Sequence, residues 1–266
     1  MTARHARPSD PAFFKTMATF FAVIMPFLVL PFLIVSEFIS MSDGKPLYAR
    51  FPDENPVLSR YSPNRLPMGA GIGYNRHVVA AMREMGLVLD HFDVWAGEHQ
   101  GSAIKHIRYM PEPMQKDVAN IALFIRKSNP RIDVKTAWRE AAALVHYSAK
   151  YGVPSALTTA VAQVESTFDP NAMSSQGAAG VMQVVWRIHN GLLRSNGIIG
   201  TPGSNPLSDP EHAIAAGCLL LSRYIRASGS VQKAMDRYYG GPSAGYQRRV
   251  NGNIAKLMTH KAKLFD

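Results

Sequence analysis

At 266 residues the chain has room for roughly one to two domains, and its 47% apolar content is sufficient for a buried core. A single cysteine, Cys218, excludes an intrachain disulfide framework and leaves the redox compartment undetermined. The formal net charge is +10, and residues 131–266 alone carry fifteen Lys and Arg against eight Asp and Glu; a polyanionic partner and an ordinary solvated basic surface both fit that balance.

The first fifteen residues form a basic leader with Arg4, Arg7 and Lys15. Residues 16–36 (TMATFFAVIMPFLVLPFLIVS) then carry no charge, and they reach the ~20 residues that a membrane-spanning helix needs. Pro26 and Pro31 would kink such a helix, but spans tolerate proline because neighbouring groups satisfy the freed carbonyls. With cations before the run and Glu37 and Asp43 after it, the positive-inside rule predicts a cytoplasmic N-terminus and an external remainder. A cleaved signal peptide competes with this reading, since Ser40-Met-Ser42 loosely imitates a cleavage site. The apolar run is nevertheless longer than the usual ~7–15-residue signal core, so the expectation is an uncleaved single-pass anchor in the cytoplasmic (inner) membrane. A chain exported in this way meets cell-wall polymer and anionic lipid before nucleic acid, and nucleic acid is not expected as a partner.

Residues 37–74 hold five prolines, at 46, 52, 56, 63 and 67, then Gly69, Gly71 and Gly73, with no sustained apolar period; they read as a linker or an irregular wrap. In residues 75–130, Val78, Met82, Met85 and Leu89 repeat at helical spacing, and Met114, Val118, Ile121 and Ile125 do so again behind Pro113. Two amphipathic helices are predicted. His91, Glu98, His99 and His106 lie between them without any recognised metal-ligand spacing, so no metal and no cofactor is expected.

From Arg131 onward the pattern becomes regular. Asp133 is placed to cap a helix carrying Val134, Trp138, Ala141, Val145 and Ser148 on one face, with Gly152 and Pro154 ending it. A second helix follows Pro154, from Ser155 to Ser166, and a third starts near Asp209 with Ile214, Cys218, Leu221 and Ile225 on its buried stripe. Shorter helices are predicted at 231–238 and 246–259. No alternating strand stands out in this half, so the fold class is mainly α.

The second helix ends on an acid. On a wheel of ~100° per residue, Leu157, Val161, Val164 and Phe168 cluster while Glu165 lies at the edge of the cluster. Partial burial would raise its carboxyl pKa and leave a proton for general acid catalysis. A solvent-facing helix-terminal Glu fits the periodicity equally well. The residues after it include a turn, Phe168-Asp-Pro-Asn, and two glycines, Gly177 and Gly180, that permit close backbone approach before Val181-Met-Gln-Val starts a helical turn. Ser174, Met182 and Gln183 make the mixture that orients a sugar's amide and hydroxyls, although a turn Ser, a core Met and an exposed Gln are the plainer reading of each residue taken singly.

Glu165-Ser-Thr-Phe-Asp-Pro-Asn-Ala172, then Ser174 through Gly177-Ala-Ala-Gly-Val-Met-Gln183, resembles the catalytic core of the lytic transglycosylases with the lysozyme-like fold. The resemblance continues through Asp209-Pro-Glu-His-Ala-Ile-Ala-Ala-Gly217 to Tyr238-Tyr-Gly-Gly-Pro242. It implies a lysozyme-like helical catalytic domain at residues 131–266, with Glu165 as sole general acid/base. It implies also that Ser174 and Gln183 contact the substrate around its N-acetyl group, that Met182 and Val181 line the cleft floor, and that Tyr238 lies close to Glu165. The partner implied is the peptidoglycan glycan strand, cut between N-acetylmuramic acid and N-acetylglucosamine with a 1,6-anhydro product. One position departs from the family pattern: Tyr239 stands where the family commonly has Asn, and it is read as packing or as a platform for a sugar.

Two other functions remain open at this level. A hydrolytic muramidase resembling the goose-type lysozymes would need a second carboxylate to activate water, with Asp169, Asp209, Glu211, Asp236 and Asp266 as candidates. An inactive murein-binding scaffold serving a cell-envelope machine would need no catalytic acid.

Overall fold

The computed structural model describes residues 73–99, 101–199 and 205–265, with side chains to residue 261. The expected leader, anchor and most of the Pro-rich stretch lie outside the described residues. Among the described residues no helix is long and apolar enough to cross a membrane.

Helices α1 (Arg76–Glu84) and α2 (Leu89–Glu98) are followed by a 3-10 helix, Ala103–Tyr109, and by α3 (Glu112–Ser128). The run of Val78, Met82, Met85 and Leu89 was expected to make one helix, and here the structure differs. The chain breaks at Gly86, whose φ of +73° is open to glycine at little cost, and Leu89 opens α2 instead. Helix α3 follows the predicted stripe, with Met114, Val118, Ile121 and Ile125 all buried.

Helix α4 spans Val134–Tyr151 and begins as the sequence suggests: the Asp133 carboxylate accepts from the Thr136 amide at 3.0 Å. It ends at Gly152, in the left-handed region at φ +67°. Its buried face is wider than the predicted stripe, with Ala137, Trp138, Ala142 and Leu144 all at 0% exposure. Each large apolar side chain buried in this way contributes about 1.5–3 kcal/mol relative to exposure, so α4 can serve as a central strut. It packs against α3 on one side and α7 (Pro210–Ser228) on the other.

Helix α5 occupies Ser155–Ser166, between the predicted bounds, and Pro154 is its N-cap. The Ser148 hydroxyl of α4 and the Thr158 hydroxyl of α5 pair at 2.7 Å in the buried space between the helices. That pairing satisfies two polar groups that burial would otherwise penalise.

Val181–Gln183 does not start a helix. It is the turn of a two-residue hairpin, β1 (Ala178–Ala179) and β2 (Val184–Val185), with Ala178 opposite Val185 and Ala179 opposite Val184. The helix starts later, as α6 (Trp186–Ser195). Gly180 explains the difference: its φ is +72°, and a Cβ there would lie 2.3 Å from the Leu207 carbonyl oxygen and 2.9 Å from Ala213 Cβ. Only glycine lets the turn press against the α7 entrance.

Helix α7 is capped by Asp209, which accepts from the Glu211 and His212 amides, and its predicted stripe of Ile214, Cys218, Leu221 and Ile225 is buried. Two helices follow, α8 (Val231–Tyr239) and α9 (Ala244–Phe265), the latter longer at both ends than its expected range. α9 lies along α5 and also reaches α3. Lys261 of α9 bonds Asp117 of α3 at 2.7 Å, so the helices before residue 130 pack into the same body as those after it.

Candidate active site

The loop after α5 is held in an unusual backbone conformation. Thr167 and Phe168, at φ 53° and 63°, and Gln183, at φ 47°, are the non-glycine residues with positive φ among the described residues. Such positions cost of order 1–3 kcal/mol each and persist only where the surroundings over-determine them. Here Phe168 is fully buried and meets Phe124 edge-on at 6.3 Å, and the Asn129 amide donates to the Thr167 carbonyl at 3.0 Å. The Ser166 hydroxyl donates to the Val181 carbonyl at 2.8 Å, tying the end of α5 to the hairpin turn.

Glu165 is the last residue but one of α5 and is half-buried. The Tyr246 hydroxyl donates to its Oε1 at 2.6 Å. Burial pushes the Glu165 carboxyl above the ordinary range, and the Tyr246 hydrogen bond and the positive charge of Arg249 oppose that push. Loss of solvent destabilises the anion more than one hydrogen bond and an exposed cation restore it. The result is a carboxyl that retains its proton more readily than a surface glutamate and can still be ionised in place.

Tyr246 itself is 1% exposed. Its hydroxyl is raised far beyond the usual phenol range by burial and by the neighbouring carboxylate, so it stays a donor. Tyr239 lies flat on it, ring centroids 4.9 Å apart at 29°, and is itself 54% exposed. The residue at the family's Asn position thus covers the partner of the acid.

The other expected site residues are placed as follows. Met182 is fully buried, with its carbonyl accepting from the Tyr238 hydroxyl at 2.8 Å. Burial raises the Tyr238 phenol strongly and the charge of Glu165 adds to the effect, which puts Tyr238 within electrostatic reach of the acid. Gln183 donates through Nε2 to the Ala172 and Gly180 carbonyls, both at 3.0 Å. Ser174 Oγ accepts from the Ala178 amide at 3.0 Å. Both polar side chains therefore brace the hairpin, which leaves the Ser174 hydroxyl proton and the Gln183 carbonyl for a ligand. Neither is joined to Glu165 by a described hydrogen bond.

Other carboxylates are committed. Arg139 of α4 binds Asp209 at 3.0 Å and Glu211 at 3.2 Å, and Glu211 also accepts from the Ser102 hydroxyl and from the Ala103 amide. Asp236 accepts from the Ser243 amide at 3.0 Å and the Gln247 side chain at 2.8 Å. Among the described residues no group of three or more His, Cys, Asp or Glu is arranged to hold a metal ion. His99 pairs with the Trp95 carbonyl, and His106 stacks on His146.

Tyr246 and Arg249 are the site residues that sequence reasoning passes over. Tyr246 opens the helix predicted at 246–259, where an aromatic residue reads as core, and it is core by burial. The overlooked signal is chemical: a buried tyrosine hydroxyl needs a partner, and Glu165 is that partner.

Residues 143–256 match the family model described as the Transglycosylase SLT domain. The membrane-bound lytic murein transglycosylase C of Yersinia pestis (strain Pestoides F) is 38% identical over 97 residues, 35% of this chain and 26% of that protein. Its counterpart in Yersinia pseudotuberculosis serotype O:1b (strain IP 31758) gives the same values. The chain thus spans about a quarter of the length of the curated relatives it matches. The 70 kDa soluble lytic transglycosylase of Escherichia coli aligns with a TM-score of 0.37 and 16% identity, over 82% of this chain and 41% of that one. Over residues 143–256, the chain carries a domain of the transglycosylase SLT family.

Proposed function

We propose that this protein is a peptidoglycan lytic transglycosylase that cleaves the β-1,4 bond from N-acetylmuramic acid to N-acetylglucosamine, on a lysozyme-like helical domain at residues 131–266. The observation that carries the reading is Glu165, half-buried, its carboxyl raised by that burial, and bonded to Tyr246. The SLT match and the printed names of the relatives support the substrate class.

In this mechanism Glu165 gives its proton to the glycosidic oxygen as the bond to C1 of the muramic residue breaks. The muramic N-acetyl group stabilises the developing cation, an instance of the substrate assistance that stands outside the two-carboxylate rule. Ser174 Oγ and the Gln183 carbonyl would orient that group. Ionised Glu165, steadied by the Tyr246 hydroxyl and Arg249, then takes the proton from the muramic C6 hydroxyl while O6 bonds to C1. The proton count closes, and Glu165 ends as it began. Attack within one sugar has an effective-concentration advantage over water that reaches ~10⁵–10⁸ M in well-oriented cases. The engagement of Asp209 and Glu211 by Arg139, and of Asp236 by Ser243 and Gln247, leaves them poorly placed as a water-activating base and favours this route over hydrolysis.

Residues 16–36 would anchor the chain in the cytoplasmic membrane with the catalytic part on the outer side, a placement supported by their lack of charge and by the relatives' membrane-bound designation. Residues 75–130 would serve as a helical extension of the catalytic body. The test is digestion of purified sacculi by the full-length chain with mass analysis. Muramic ends one water lighter than the hydrolytic product are expected, and reducing ends alone would refute the assignment.

A further inference from the structure

Tyr246, the donor to Glu165, lies in the first turn of α9, and the two residues before it, Ala244 and Gly245, carry almost no side chain. Helix ends fray, and a hydrogen bond weakens steeply as its distance and angle drift. The Tyr246 amide is tied locally, donating to Ser243 Oγ at 3.2 Å, but that bond does not fix the ring. A hydroxyl kept 2.6 Å from Glu165 Oε1 in such a place requires a brace on the ring itself.

Two side chains lie against that ring. The Arg249 guanidinium carbon is 5.9 Å from the ring centroid, and Arg249 is exposed. Tyr239 stacks with centroids 4.9 Å apart, within the ~4.5–7 Å spacing of aromatic pairs. The two tyrosines differ sharply in burial, Tyr239 at 54% exposure and Tyr246 at 1%. Tyr239 is therefore no core residue, and its ring contact is with the partner of the acid.

Tyr239 is itself held in place. The residue before it, Tyr238, bonds the Met182 carbonyl of the hairpin turn at 2.8 Å. After it, α8 ends on Gly240 at φ +100°, and the Asp236 carbonyl accepts from the Gly240 and Gly241 amides at 3.1 and 2.8 Å. The Asp236 carboxylate accepts from the Ser243 amide at 3.0 Å and from the Gln247 side chain at 2.8 Å. One aspartate thus knits the end of α8 to the first turn of α9, and these are the two places that carry Tyr239 and Tyr246. The stack is ordered before any ligand arrives, as a positioning device must be.

We propose that Tyr239 is a positioning residue: by lying on the Tyr246 ring it holds the phenol hydroxyl on Glu165. This deepens the transglycosylase reading and rests on it, since that reading gives Glu165 its work. The charged and titratable groups that act on Glu165 are Tyr246 and Arg249 of α9, and Tyr238 of α8 feels its charge in turn. Tyr239 acts through the first of these. The asparagine that the family commonly has at this position has no ring face to offer, so the device belongs to this chain.

The experiment is a double-mutant cycle on the detergent-solubilised full-length chain, with Glu165 titrated directly by isotope-edited carboxyl NMR and its resonance assigned by its loss in Glu165→Gln. Tyr239→Ala should weaken the Tyr246 bond and raise the Glu165 pKa by about half a pH unit, an about threefold change in the ratio of protonated to ionised acid. The alkaline limb of the pH–activity profile should move up with it while KM holds. Tyr239→Phe keeps the ring and should keep the native titration. In a Tyr246→Phe background there is no hydroxyl to position, and Tyr239→Ala should add no further shift. Circular dichroism checks the fold, and Tyr239→Leu, which keeps apolar bulk without a flat face, gives the same reading should the alanine variant not fold. An unmoved Glu165 titration, a lowered pKa from admitted water, or an equal shift in both backgrounds would overturn the proposal. A raised KM with the titration unmoved, the mark of a sugar platform, would overturn it as well. The coupled shift in a chain whose digests show only reducing ends would leave this role standing and remove the lytic reading. Anhydro-muramic ends with an unmoved titration would do the reverse.

Discussion

The Tyr246 hydroxyl sits 2.6 Å from Glu165 Oε1, joining α9 to the end of α5 across 81 positions of sequence. It is a charge-assisted bond whenever Glu165 is ionised, so under the proposed mechanism it would act mainly on the half of the reaction in which Glu165 is a base. Tyr246→Phe keeps the ring and its stack with Tyr239 while deleting the donor. The Glu165 pKa should then rise further, and the alkaline limb of the pH–activity profile, where the acid loses its proton, should move to higher pH. Turnover near neutrality should fall by about tenfold or more, since a hydrogen bond to a charged group is worth ~1.5–3 kcal/mol. An unmoved profile would show that this bond does not tune the acid.

Arg249 lowers the Glu165 pKa through its charge alone, and it is exposed. Arg249→Gln should shift the profile in the same direction as Tyr246→Phe but by less. Raising salt on the native chain should reproduce that shift in part, because exposed charges are screened over ~8–10 Å at physiological ionic strength. Parallel profiles at low and high salt would count against this role.

Gly217 of α7 has no room for a side chain, since a Cβ there would lie 2.8 Å from Met182 Cβ and 2.5 Å from its Cε. Met182 in turn receives the Tyr238 hydroxyl on its carbonyl. Gly217→Ala should displace the hairpin turn, costing about 1–3 kcal/mol of stability as overpacking does. It should reduce activity at temperatures where circular dichroism still reports a folded helical protein. Native turnover in this variant would mean that the turn geometry is not needed.

Glu140 is protonated more readily in the folded state than in the unfolded chain. Between its unfolded and folded pKa values the native state therefore binds more protons, and stability declines as pH rises through that window. Glu140→Gln cannot titrate. Its melting temperature, relative to the native chain, should improve as pH is raised from about 4.5. A pH-independent difference would contradict the assignment.

His146 behaves in the opposite sense. Burial, with help from His106 and Lys150, lowers its pKa to about 3. Below an unfolded value near 6.5 the unfolded chain binds the extra proton, so stability falls as pH drops from there toward the folded value. His146→Gln should flatten the acid side of the melting curve between those limits. An acid limb identical to that of the native chain would assign the loss to other groups.

Several helices were legible in the sequence because their signals are short-range. Asp133 and Gly152 bracket α4, Pro154 opens α5, and Asp209-Pro-Glu opens α7, each through backbone groups within four residues of the cap. The motif around Glu165 was legible for the same reason, as residues in order along one strand of text. Where local signals were ambiguous, reading by period failed: the stripe from Val78 to Leu89 spans a break at Gly86, and Val181–Gln183 turns instead of coiling.

What the sequence alone determined, then, is the helical class, the main caps and the position of one acid at the end of an apolar helix. Tertiary structure decided the environment that raises the pKa of that acid. Tyr246 reaches Glu165, Tyr239 covers Tyr246, and Ser102 and Arg139 both bind Glu211, only because α9, α8 and the residues before α3 fold back onto α5 and α7. A hydropathy period records which face of a helix is buried, but it does not record which distant group that face meets. Burial and hydrogen bonding set the Glu165 proton affinity, and both depend on those distant groups.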